Sequence, residues 1–143
     1  MSLVVRREAV EATIQRFNGK PMKWGLVDCA RIAAHDLRQL GIKTRLMKGQ
    51  RYASEHAALK ALRDQGFSGL AQAVDEMLPR IAPAMAIQGD LVGMETDGDV
   101  WDVALCVAVG NGRVLGIQDG VVAVLKPDLT KAVTAWRAEP CRK

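Results

Sequence analysis

The residues able to do chemistry in this 143-residue chain are few: three cysteines (Cys29, Cys106 and Cys141) and two histidines (His35 and His56). The richest setting is Met22-Lys23-Trp24-Gly25-Leu26-Val27-Asp28-Cys29-Ala30. A cysteine in the first turn of a helix meets unpaired backbone N–H groups and the positive end of the helix dipole, which favour thiolate. Gly25 can lead the chain tightly into that turn, and Trp24 can wall a cleft beside it. The same residues also describe a small buried cysteine on a core-facing helix, a common fate of free cysteine. A thiol that attacks an amide needs a base, and only two histidines exist to provide one. His35 falls six residues after Cys29, about 120° round the helix from it. Both histidines are expected at the surface.

The cysteines are widely spaced and odd in number, with no C-x-x-C, so neither a zinc knuckle nor a dithiol redox pair is supported. No metal site and no cofactor is expected. Asp97-x-Asp99-x-x-Asp102 is rich in oxygen, but Ala108 stands where an EF-hand loop beginning at Asp97 would place its closing glutamate. It reads as a charged hairpin loop.

Charge is +4 overall and unevenly spread. Residues 1–66 carry 13 Lys and Arg against 6 Asp and Glu, whereas residues 67–143 carry 7 against 10. The densest basic stretch holds Lys43, Arg45, Lys48 and Arg51. Its plain reading is a solvated loop and its sharper one an anionic partner. Aromatic residues make up only 4% of the chain, too few for stacking platforms, so nucleic acid is not the expected partner. The start of the chain meets Arg6-Arg7-Glu8 before any signal-peptide core, and no apolar run approaches a bilayer span. A reduced, cytoplasmic setting without membrane insertion is expected.

The elements that must position these residues divide into a helical front and a strand-rich back. Val10, Ile14 and Phe17 recur at helical spacing, and Asn18-Gly19 with Pro21 ends that helix. Asp28 is a good N-cap for a second helix closing at Gly41, with Cys29, Ile32, Ala33, Leu37 and Leu40 on its apolar side. Ser54 can cap a third helix running to Gly66, and a fourth is expected from Leu70 to Leu78, stopped by Pro79. Strands are expected at Leu91-Val92, Val103–Val109, Arg113–Ile117, Val121–Leu125 and Ala132–Trp136. Asp97-Gly98, Asn111-Gly112 and Asp119-Gly120 supply the turns. The expectation is one α+β domain over residues 1–143, its N-terminal helices packed on a C-terminal antiparallel meander.

Trp24-Gly25-x-x-Asp28-Cys29, followed by a helix ending at Gly41, resembles the nucleophile segment of NlpC-type papain-like cysteine peptidases. Gly89-Asp90-Leu91-Val92 is similar to a strand of that superfamily. Val103 to Gly110 with Asn111-Gly112-Arg113 is similar to its central hairpin, and Ala135-Trp136-Arg137 resembles the ending of a branch encoded by tailed phages and prophages. The resemblance covers roughly Phe17 to Ala138 and implies an NlpC-like, papain-like fold. It also implies cysteine attack on amides of bacterial cell-wall peptides, with a histidine and a third polar residue on successive strands.

By that resemblance Cys29 is the candidate nucleophile, the histidine position falls on Ala104 and the third position near Gly116. Neither of the latter can transfer a proton. Asp102 is a weak candidate partner, two residues before Ala104 and so expected on the same strand face. Its charge would oppose thiolate formation. Trp24, Gly25, Asp28 and Gln118 are the remaining cleft candidates. The leading expectation is a non-catalytic NlpC-like module in a phage or prophage tail, virion-associated in that case, binding protein partners or a peptide. The alternatives are an active cysteine amidase or endopeptidase on peptidoglycan peptides and, more remotely, a nucleic-acid binder using residues 43–51.

Overall fold

Short polar side chains start three of the four helices. Ser2 accepts from the Val5 N–H to open α1 (Leu3–Phe17), Asp28 opens α2 (Cys29–Gln39) and Ser54 opens α3 (Glu55–Asp64). Glycines at positive φ follow α1, α2 and α3 at Gly19, Gly41 and Gly66. These contacts are properties of a computed structural model that describes residues 1–97 and 101–140. Cys141, Asp99 and the second residue of the Asp97-Gly98 turn lie outside the described residues.

The fourth helix, α4 (Leu70–Asp75), is shorter than its apolar pattern predicts and starts at Gly69, which has no side chain to cap it. Asp102 supplies the cap from a distant segment, accepting from the Leu70 N–H at 2.7 Å.

Six strands form one antiparallel sheet in the order β1-β6-β2-β3-β4-β5. They are β1 (Arg80–Ile81), β2 (Leu91–Met94), β3 (Ala104–Gly110), β4 (Arg113–Gln118), β5 (Val121–Leu125) and β6 (Ala132–Trp136). Hairpin chemistry explains the β3-to-β5 part of the meander. Asn111 and Gly112 both have positive φ, as do Asp119 and Gly120, the backbone that tight two-residue turns between twisted strands require. A simple meander is not the whole topology, however. After a 3₁₀ turn, β6 leaves β5 and inserts between β2 and the unexpected two-residue β1. Trp136 explains why: it is fully buried, and its Nε1 donates to Asp75 Oδ1, the carboxylate that Arg80 grips through two bonds of 2.6 and 2.8 Å.

Helix α2 packs against both α1 and β3. It is buried on nearly every side, including His35 and Asp36. That overturns the surface placement expected for His35, whose Nδ1 lies 2.9 Å from Thr13 Oγ1 and whose ring meets Phe17 edge-on; His56 is exposed. On one side of the sheet Leu91, Leu105, Val107 and Leu115 join the helices in the main core. Val92, Cys106, Ala108, Val114 and Ala135 form a smaller apolar cluster of their own. Asp90 ties the two chain ends together. Its carboxylate accepts from the Ala138 N–H and from Arg6, whose Nη2 in turn donates to the Ala138 carbonyl.

Candidate active site

The loop before α2 is closed on itself by reciprocal bonds between Lys23 and Val27, each 2.8 Å. Gly25 sits in it at φ +83°, where a Cβ would overlap the Tyr52 carbonyl oxygen, so only glycine fits. Asp28 is completely buried and fully used. Its Oδ1 accepts from the Arg31 N–H at 2.9 Å, and its Oδ2 from the Gly25 N–H at 2.9 Å and the Tyr52 hydroxyl at 2.8 Å. Arg31 completes the brace. It donates to the carbonyls of Gly25, Met47 and Gln50 while its guanidinium lies 5.1 Å from the Tyr52 ring centroid. The residue before Cys29 therefore binds three segments together.

Cys29 follows as the first residue of α2, and its side chain is buried. Burial pushes its thiol up to about 12, an effect that the Leu105 and Ala30 backbone N–H groups offset only in part and that Asp28 and Cys106 reinforce. Burial is the largest influence on this helix-start cysteine, and it favours the protonated thiol. The β3–β4 ladder runs from Gly110↔Arg113 to Val107↔Leu115. Beyond its end stands Leu105, whose backbone N–H partly offsets the upward push on the Cys29 thiol.

Ala104, immediately before Leu105, opens β3 and pairs with Met94. Gly116 is buried in β4, and a Cβ there would stand 3.0 Å from Cys106 Sγ. The two positions that the resemblance assigns to proton transfer are thus occupied by a methyl group and a hydrogen atom. Trp24 is half-buried against Trp101, with ring centroids 5.6 Å apart. Gln118 ends β4 opposite Val121, exposed, beside the turn whose Gly120 carbonyl accepts from the Met22 N–H.

Asp102 does not behave as expected. It lies in a bend before β3 begins, so strand alternation does not fix its direction, and its carboxylate is committed to the start of α4. Sequence reasoning missed Arg31 and Tyr52. The only available signal was that Tyr52 is the single tyrosine in the chain. Among the described residues no group of three or more His, Cys, Asp or Glu side chains is placed to hold a metal ion. No helix among them is long and apolar enough to cross a membrane.

A family model described as a domain of unknown function, DUF6950, matches residues 3–138. The chain belongs to that family. No curated protein matches it in sequence. Its fold is similar to a lipoprotein-like protein of the NLP/P60 family from Staphylococcus aureus (TM-score 0.64, 13% identity) over 96% of this chain and 42% of that one. It is also similar to NlpC2 from Trichomonas vaginalis (0.56, 14%) over 96% and 48%, and to the P60 domain of an antigen from M. avium paratuberculosis (0.52, 17%) over 93% and 94%. The DUF6950 chain thus spans less than half of the first two proteins and nearly all of the P60 domain. At these identities the likeness is one of fold: α+β, NlpC/P60-like.

Proposed function

We propose that this DUF6950 chain is a non-catalytic NlpC-like domain, a binding or assembly module of a phage or prophage tail. The observation that carries the reading is the state of Cys29. It is a buried thiol pushed up to about 12, and Ala104 and Gly116 stand at the positions where the resemblance would require proton-transfer groups. Histidine chemistry cannot reach it from within α2, because His35 is spent on Thr13 and Phe17. The tail assignment rests on the resemblance of Ala135-Trp136-Arg137, and it makes the protein virion-associated with protein or peptide partners; outside a tail it would be cytoplasmic.

A second reading keeps one specific observation in its favour: Cys29 is the first residue of α2, where the Leu105 and Ala30 backbone N–H groups favour its thiolate. That arrangement suits a cysteine amidase or endopeptidase on peptidoglycan peptides.

Alkylation separates the two. Under native conditions at neutral pH, Cys29 is expected to react far more slowly than an ordinary free thiol, roughly 1000-fold, because so little of it is thiolate. No muropeptide should be cleaved. Rapid, saturable labelling together with cleavage, both abolished by Cys29→Ala, would establish the enzyme instead.

A further inference from the structure

The far end of α2 carries a feature that the cysteine site does not use. After Gly41 the chain runs through residues 42–46 with alternate burial: Ile42, Thr44 and Leu46 point inward, and Lys43 and Arg45 outward. With Arg38 from the last turn of α2 and Lys48, these cations edge a groove of about 1010 Å³. Its apolar surface comes from Ile42, Met77 and Pro140. Glu76 is the one carboxylate there, and Gln72 holds it at 2.7 Å. Among the described residues Arg38, Lys43 and Lys48 form no ion pair. Arg45 is held over the Phe67 ring.

The groove is built rather than incidental. Thr44 Oγ1 donates to Met77 Sδ and accepts from the Leu46 N–H. Gln65 fastens the Arg45 carbonyl at 2.6 Å and the Met47 N–H at 2.9 Å. The α2 carbonyls facing this end are capped by the Leu40, Gly41 and Ile42 N–H groups. Little ordering remains to be done when a ligand arrives.

We propose that this groove binds an acidic, aliphatic peptide segment of a partner protein. Glu or Asp side chains would meet Arg38, Lys43 and Lys48, and Leu, Ile or Val side chains would rest on Met77 and Pro140. Three cations without an ion pair among the described residues, facing one engaged carboxylate, select an anion. The groove is at the upper end of the roughly 300–1,000 Å³ of small-molecule sites, which suits an extended chain. The aliphatic floor selects a peptide over nucleic acid, since among the described residues no aromatic ring lines the groove for bases to stack on. The site lies at the opposite end of α2 from Cys29, so its occupancy does not depend on whether Cys29 is catalytic.

The test uses the full chain and fluorescence anisotropy of a labelled peptide of alternating glutamate and leucine. Saturable binding is expected at low salt, weakening as salt rises. Lys43→Glu with Lys48→Glu should weaken it at least tenfold without moving Tm, since both lysines are exposed; the corresponding alanine pair should lie between. A glutamate-only peptide should bind at least threefold more weakly than the mixed one. Absent binding at low salt, equal binding by the charge-reversed variant, equal binding of the glutamate-only peptide, or tighter binding of duplex DNA would each overturn the proposal.

Discussion

The sulfur of Cys106 fills the space into which a side chain on Gly116 would project, 3.0 Å from the Cβ that an alanine would place there. The same point lies 3.9 Å from Cys106 Cβ, an ordinary contact distance. The strand position that would carry a third catalytic side chain is therefore closed by a neighbour on β3, not left vacant. A histidine at position 104 would find nothing at 116 to orient it.

Gly116→Ala is accordingly expected to destabilise the fold by about 1–2 kcal/mol, the usual cost of forcing an extra methyl into a packed site. In a Cys106→Ala background the same substitution should cost markedly less, because only the sulfur is in the way. Urea unfolding of the wild type, both single variants and the double variant measures the coupling. Strict additivity would mean that the two residues do not compete for this space.

The brace at the start of α2 makes a second prediction. Tyr52→Phe removes a buried hydrogen bond to Asp28 and should cost about 1.5–3 kcal/mol, the range for bonds to charged groups. Gly25→Ala should cost more. It drives a methyl into the Tyr52 carbonyl at a backbone angle that L-residues rarely adopt, and the backbone cannot swing aside as a side chain could. Hydrogen exchange should accelerate across residues 43–53 in both variants. Loosening confined to α1 would contradict this wiring.

Local chemistry was the part legible in the sequence. Asp28 and Ser54 as helix caps, the Asn111-Gly112 and Asp119-Gly120 turns, and the placement of Cys29 at a helix start each depend on neighbours a few residues away. What remained hidden depends on distant ones. Nothing near Asp102 announces that it caps a helix starting 32 residues earlier. Likewise, β6 returns to lie between β1 and β2 because Trp136 is drawn to Asp75. Cys29 divides along the same line: its helix position is local, whereas its burial comes from β3 closing over it, and burial decides its protonation.

Two adjacent buried residues, His35 and Asp36, supply the last prediction. Burial raises the Asp36 carboxyl well above its ordinary 3.8, against the pull of Arg6 and with the push of Asp90, and neither of its oxygens has a hydrogen-bond partner among the described residues. The folded chain thus keeps a proton that the unfolded chain releases near pH 3.8. Above that pH, stability falls by up to about 1.4 kcal/mol per unit until the folded carboxyl ionises. His35 acts in the opposite sense. Burial, with Arg16 and Arg38, lowers it from 6.5, so the unfolded chain gains a proton first and stability falls as pH drops below 6.5. Asp36→Asn removes only the Asp36 contribution, and its stability relative to wild type should rise steadily from about pH 4 towards neutrality. His35→Gln loses the bond to Thr13 but removes the acid-side slope, so its deficit should shrink as pH falls below 6.5. Unfolding titrations in urea at a series of pH values read both differences. An Asp36→Asn difference that does not change with pH would mean that this carboxyl is ionised in the folded chain, and Arg6 would then have to be its partner.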